Sequence, residues 1–321
     1  MNKKSFILSC GSYLPKKTVS NDDLAKTVKT SHEWIVERTG IENRHIANEE
    51  ETTTFMASQA AKQAISRNPE IADKIDTIIV ATTTPDQIFP ATAPKVQAAL
   101  GLKSLCAFDI QAVCSGFLYA ISVADSMIKS GSASTILVIG ADKMSKIVDW
   151  NDRGTCILFG DGAGAVILTT NTQSNNSGII ESRLSADGNL ENILYTDGEV
   201  CSTKTAGHII MNGREVFKNA VEKMSSSMEE VLVSQNMQVE DLDWVIPHQA
   251  NARIISAIAK KLNVPTEKIV ITLQDQANTS AATIPLALSY HYNQGKLKRG
   301  DLIMLTAAGG GFTWGSMLLR W

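Results

Sequence analysis

Strand-like apolar runs alternate with helical patterns along most of the chain. IDTIIVAT (75–82) is followed by a helical stretch at 93–100, and LCAFDIQ (105–111) by another at 115–130; TILVIGA (135–141) and GAGAVILT (162–169) add strands. The polar stretch NTQSNNSG (171–178) reads as a linker, which divides the chain into an expected N-terminal half, 1–173, and a C-terminal half, 174–321. The rhythm then returns as LDWVIPHQ (242–249), a helix over 250–262, KIVITL (268–273), a helix over 280–294, and DLIMLTAAG (301–309). Such alternation predicts an α/β fold, a mixed or parallel sheet covered by helices.

The halves read as copies of one unit. Asp76 opens a strand, and Cys114 starts a helix about 38 residues later; Asp243 opens a strand ending in Pro247-His248, and Asn278 precedes a helix about 35 residues later. Both later helices finish near a glycine, Gly131 or Gly295. A duplicated unit puts equivalent strand ends on opposite sides of a pseudo-two-fold, so Cys114 and the Asn278 loop converge.

Composition narrows the class. A chain of 321 residues can bury a large core, and 44% hydrophobic with 20% charged residues is ordinary for a globular cytosolic enzyme. A net charge of −3 gives no global attraction to nucleic acid or anionic membrane, so an acidic partner needs a local basic patch. The five cysteines (10, 106, 114, 156 and 201) are too sparse for a disulfide framework and show no metal-ligand spacing. The apolar run near the N-terminus is too short for a signal peptide, and no stretch approaches 18 apolar residues. A cytoplasmic protein with no membrane span and no metal is expected.

Cys114 follows an apolar strand and directly precedes a helix with an apolar face at 117, 118, 121, 124, 127 and 128. A thiol at a helix N-terminus meets unsatisfied N–H groups and the positive end of the dipole, which favour the thiolate. A lone cysteine is more often buried and inert, and the other four are expected to be so. His248 and Asn278 each lie between a strand and a helix. Taken singly they would be a structural histidine and a neighbour of a helix cap. Cys, His and Asn together also suit a papain-like protease, but the local sequence around the cysteine does not match that family.

The segments DIQAVCSGFLYA, DRGTCILFGDGAGA, WVIPHQANARIISAIAKKL, ANTSAATIPLAL, GGGFTWGS and SHEWIVERTGIENRHIA closely resemble the β-ketoacyl-[acyl-carrier-protein] synthase III family. These are the initiating condensing enzymes of type II fatty acid synthesis. The resemblance runs from about residue 5 to Trp321. It implies the thiolase fold, five layers αβαβα from two duplicated halves, usually as a homodimer. It further implies that Cys114 is acylated by an acyl-CoA and that malonyl-acyl carrier protein then decarboxylates. His248 and Asn278 would donate hydrogen bonds to the enolate, and the N–H groups of Cys114 and Gly310 would form an oxyanion hole. Coenzyme A thioesters and acyl carrier protein are substrates, and no cofactor is expected. Related condensing enzymes that prime polyketide, quinolone or resorcinol pathways are the alternative, as is a non-catalytic acyl-binding protein of the same fold.

For coenzyme A the resemblance points to Trp34 beneath the adenine, Arg38 and Arg153 near the nucleotide end, and Gly213 and Asn251 along the pantetheine arm. For the carrier it points to the segment Gln249, Ala250, Asn251, Ala252, Arg253, with Lys218 as a neighbour. On the helix 250–262, Arg253 and Lys260 lie seven residues apart, roughly opposite the apolar side, and Lys261 flanks them. Phe89 matches a position where the partner subunit closes the acyl pocket, and its bulk fits a short primer such as acetyl. Two departures stand out: Ala277 where many relatives have Gly, and Ala308 where many have Phe.

Overall fold

Two sheets lie face to face with two helices between them and further helices on each outer side. The computed structural model describes residues 4–171 and 177–321, so most of the expected linker and the 173/174 boundary lie outside the described residues. The first sheet comprises β1 (Lys4–Tyr13), β2 (Thr77–Ala81), β3 (Cys106–Ile110), β4 (Thr135–Lys143) and β5 (Asp161–Asn171), in the order β1-β5-β4-β2-β3. β2 runs parallel to β3 and β4, and β5 antiparallel to β4 and β1. The second sheet comprises β6 (Gly178–Ala186), β7 (Trp244–Pro247), β8 (Leu302–Gly309) and β9 (Thr313–Arg320), in the order β7-β8-β9-β6. Only β7 and β8 are parallel. Among the described residues no helix is long and apolar enough to cross a membrane.

The central strands are buried on both faces, so alternate residues feed different cores. Ile79, Ile136, Val138 and Val166 point inward and meet Ile303, Leu305 and Met317 around the helices Gly116–Ser130 and Thr283–Asn293. Ile78, Val80, Leu137 and Ile139 point the other way, onto the helices Thr53–Ser66 and Thr92–Leu100. Leu302, Met304 and Leu318 pack outward against the helices Gly213–Ser234 and Ala252–Leu262. These three cores separate five layers, αβαβα.

The duplication is visible in the chemistry at the strand starts. Asp76 accepts from the N–H of Ser134 at 2.7 Å, and Asp243 accepts from the N–H of Leu302 at 2.7 Å. Each carboxylate stands at the head of a parallel strand and pins the head of its neighbour. The two central helices are followed by Gly131 and Gly295, both left-handed (φ 80° and 67°).

The structure departs from the pattern at KIVITL, which makes only one bridge, Ile269 to Val245. Gln249 explains the loss: its amide donates to the carbonyls of Pro247 and Val270 and accepts from the N–H of Thr272. A side chain thus replaces the ladder, and the chain turns away with Ile271 exposed. The helix expected over 280–294 begins as a tight turn, Ser280–Ala282, before Thr283–Asn293.

Where the halves meet, Asp142 at the end of β4 is fully buried. One carboxylate oxygen accepts from Thr82 Oγ1 (3.1 Å), the N–H of Thr83 (2.7 Å), and the N–H and hydroxyl of Thr84 (3.1 and 2.9 Å). The other accepts from the N–H of Ala281 (3.1 Å). Nearby, the N–H of Asn278 donates to Leu158 O, and Asn278 O accepts from the N–H of Gly160. To make this junction Ala277 adopts φ 55° and ψ −163°, a region open essentially to glycine alone. Relief of about 1–3 kcal/mol of strain in Ala277→Gly outweighs the roughly 0.4–1 kcal/mol of added chain entropy. The variant is expected to raise the urea midpoint by a net gain of about 1 kcal/mol. A lower midpoint would show that the alanine sits there unstrained.

Candidate active site

Cys114 lies in the tight turn Val113–Ser115, between β3 and the helix Gly116–Ser130. Val113 takes φ 47°, costly for a β-branched residue, and Ser115 closes the turn with both its N–H and its hydroxyl on Ala112 O. Gly309 at the end of β8 backs this turn so closely that a Cβ there would stand 2.7 Å from the Cys114 nitrogen. The glycine run of the second half is thereby brought beside the thiol. The expected lowering of the thiol pKa is not seen: burial pushes the Cys114 thiol up to about 12. The Asp142 carboxylate adds to the rise, while the Ser280 hydroxyl, itself without a close hydrogen-bond partner, offsets part of it. Desolvation is the largest influence on the thiol, and a backbone N–H acts against it.

His248 is buried, and burial lowers its pKa to about 3, so the imidazole is neutral at pH 7. The backbone N–H of His248 donates to Thr306 O at 2.7 Å, and its ring Nδ1 stands 2.7 Å from Thr283 Oγ1. Asn278 is held by its own side chain: Oδ1 accepts from the N–H of Ser280 at 2.9 Å, which leaves the NH2 group as the available donor. Cys114, His248 and Asn278 line one cavity of about 460 Å³. A second cavity of about 260 Å³ also reaches Cys114, lined by Gly310, Thr83, Met144, Phe159 and Leu194 among others.

Trp34, Arg38, Arg153, Gly213 and Asn251 all line the larger cavity, as does Ala308. Ser31 caps the helix His32–Thr39, and the guanidinium groups of Arg38 and Arg153 lie 4.7 and 4.5 Å from the Trp34 ring centre. Two cations on one aromatic ring make an anion-seeking mouth. Asn251 joins two walls: its amide donates to Arg38 O at 3.1 Å, and its Oδ1 caps the helix Ala252–Leu262 through the N–H of Arg253. Arg214 also lines this cavity; the only sequence signal for it is adjacency to Gly213.

Ala250 and Arg253 stand at the rim, and Lys218, Lys260 and Lys261 are exposed on the two flanking helices. Gln249 is a correction. It is buried, and its polar atoms are spent on Pro247, Val270 and Thr272, so it is an internal brace and not a contact for a carrier. Ala252 is half-buried against Gly40, where a Cβ would stand 2.6 Å from its methyl. Phe89 touches neither cavity of its own chain and is 83% exposed. Among the described residues no cluster of three His, Cys, Asp or Glu could hold a metal.

A buried cysteine facing a neutral histidine and an asparagine amide, across two duplicated halves, defines a thiolase-fold condensing acyltransferase. Two family descriptions match, 3-oxoacyl-[acyl-carrier-protein (ACP)] synthase III over residues 108–188 and its C-terminal part over 232–321. The beta-ketoacyl-[acyl-carrier-protein] synthase III of Ehrlichia canis is 54% identical over 318 residues, and that of Wolbachia pipientis wMel 55% over 319, each pairing spanning 99% of both chains. The crystal structure of 3-oxoacyl-[acyl-carrier-protein] synthase III from Aquifex aeolicus VF5 superposes with a TM-score of 0.94 at 52% identity, covering 99% of this chain and 100% of that one. The chain belongs to the 3-oxoacyl-[acyl-carrier-protein] synthase III family.

The buried imidazole has a consequence for acid stability. Unfolded, His248 takes a proton near pH 6.5; folded, only near 3. Below about 6.5 the unfolded chain therefore binds more protons, and stability falls as pH drops, by at most about 1.4 kcal/mol per pH unit from this residue. His291, lowered to about 4 chiefly by burial, adds a parallel loss. His248→Gln should flatten the dependence measured by urea unfolding between pH 7 and 5. An unchanged slope would mean that the folded protein protonates His248 freely.

Proposed function

We propose that this protein condenses a short acyl-CoA, acetyl-CoA first among them, with malonyl-acyl carrier protein. The products are a 3-oxoacyl-acyl carrier protein, CoA and CO2, and the reaction initiates fatty acid synthesis. The observation that carries the reading is the meeting of Cys114, His248 and Asn278 where a long cavity and a short one join. The acyl-CoA enters past Trp34, Arg38 and Arg153, with its arm along Gly213 and Asn251. The Cys114 sulfur attacks the thioester carbonyl, its proton leaves with CoA, and the acyl group passes into the short cavity. The N–H groups of Cys114 and Gly310 receive the oxyanion, each worth about 3–4 kcal/mol in comparable sites. Malonyl carrier then takes the long cavity, its acidic body against Arg253, Lys218, Lys260 and Lys261. Loss of CO2 leaves an enolate whose oxygen accepts from His248 and Asn278; the carbanion attacks the acyl-cysteine carbonyl and expels the Cys114 thiolate, which takes a proton from solvent to restore the thiol. Decarboxylation makes the nucleophile without a base, so neutral donors suffice.

The half-reactions separate the roles. Cys114→Ser is expected to keep the fold and lose acyl-enzyme formation, read by intact-protein mass spectrometry after mixing with acetyl-CoA. Stoichiometric acylation at position 114 of that variant would refute the assignment. His248→Ala and Asn278→Ala should slow malonyl decarboxylation by about 100-fold or more while acylation changes far less. Equal loss in both halves would instead make them supports of the nucleophile.

We further propose that the protein works as a homodimer in which Phe89 caps the partner's acyl cavity. Phe89 and Ile88 are 83% and 71% exposed, while the base of their loop is anchored by Asp86, which accepts from the N–H groups of Thr53 and Thr54. A loop anchored at its base and presenting bare apolar side chains fits insertion into a second copy. Phe89→Ala frees the volume of a benzyl group, and each buried methylene is worth about 0.8 kcal/mol. Competition between acetyl-CoA and hexanoyl-CoA for Cys114 should then shift roughly 100-fold toward hexanoyl. If wild type already prefers hexanoyl, or the ratio stays put, Phe89 is not the gate.

A further inference from the structure

A neutral histidine can donate from only one ring nitrogen, so the use of His248 depends on which nitrogen carries the proton. Its Nδ1 is 2.7 Å from the hydroxyl oxygen of Thr283, a residue as buried as His248 itself. That hydroxyl has one proton and two acceptors in reach, Nδ1 and Ser280 O, the latter at 3.1 Å. The Ser280 carbonyl is already satisfied, because it accepts from the backbone N–H of Thr283. Nδ1 has no other partner among the described residues. The shorter contact and the unmet acceptor coincide.

We infer that Thr283 is a positioning residue that sets the tautomer of His248: its hydroxyl donates to Nδ1 and so leaves Nε2–H as the donor in the cavity. With the opposite tautomer a lone pair at Nε2 would face the enolate oxygen and repel it. Thr283 opens the helix that follows the Asn278 loop, so one segment supplies one enolate donor and prepares the other. The inference rests on the proposed reading of His248 as an enolate donor. It gives Thr283 a role in the second half-reaction and none in the first.

The test compares Thr283→Val, which swaps the hydroxyl for a methyl of similar size, with Thr283→Ser, which keeps it. Three quantities are measured: the carbon-13 shift of the His248 Cδ2 atom, which reports the tautomer; malonyl-carrier decarboxylation on pre-acylated enzyme; and acylation of Cys114 by acetyl-CoA. In the valine variant the Nε2–H signature should be lost and decarboxylation fall about 10–100-fold, as when an orienting partner is removed from a ligand histidine. Acylation should stay within about threefold of the parent, and the serine variant should match the parent throughout. A valine variant with the parent's tautomer signal, or equal loss in both half-reactions, overturns the inference, as does a serine variant that fails like valine. Thr283→Ala, which cannot overpack, takes the place of valine if that variant does not fold. His248→Ala run in parallel keeps the two ideas apart. If it decarboxylates normally, the enolate reading fails, while the tautomer signal still judges Thr283.

Discussion

Asp142 takes hydrogen bonds from the loop after β2 and from the segment that follows Asn278, parts of the chain that belong to different halves. Burial raises the carboxyl pKa, and donors from Thr83, Ala281 and Thr84 pull it back. A buried anion is tolerated only where several dipoles converge on it, so each segment is held in place by the need to satisfy the same group. The consequences reach both cavities. Thr83 lines the short one, and Ala281 fixes the loop that carries Asn278 into the long one. The positive φ values of Val113, Ala277 and Ser280 cluster around this junction, as expected where surrounding structure over-determines the backbone.

The sheet centres were legible because their strands are buried on both faces: TILVIGA and LIMLTAAG are continuous apolar runs, and both form strands. The duplication was legible in Asp76 and Asp243, whose shared spacing reflects a shared task. Other elements left weaker marks. The helix Gly213–Ser234 buries Ser225 and Ser227 together with Met224 and Met228, which dilutes its apolar stripe. KIVITL misled in the opposite direction, because its apolar pattern is that of a strand but its ladder partner is the side chain of Gln249. No periodicity could report that substitution.

The site divides in the same way. Cys114, His248 and Asn278 were found through strand-to-helix placement and family resemblance, and they do share a cavity. What escaped was everything set by burial. Gln249 sits inside a motif whose Ala250, Asn251 and Arg253 line the larger cavity, and only its buried position separates brace from contact. The helix N-terminus is visible in sequence and argues for a thiolate, but the burial that raises the thiol pKa is not. Thr283 lies 35 residues from His248, and nothing in its local sequence marks it as the ring's partner.

The absence of a cation beside these three groups is itself a chemical device. A protonated thiol, a neutral imidazole and a primary amide leave the reacting centre with directed N–H dipoles and no cation beside it. In the proposed reaction the substrate generates charge only transiently, on the thioester oxygen and then on the enolate. Preorganised dipoles in a low-dielectric cavity stabilise such charge without solvent rearrangement. A permanent cation would also hold the malonyl carboxylate, stabilising the group that must leave as CO2. Cations are instead kept at the mouth, where Arg38 and Arg153 cover Trp34 and can meet phosphate. In the proposed reaction one cavity is thus basic around Trp34, where it would bind, and neutral around Cys114, where it would react.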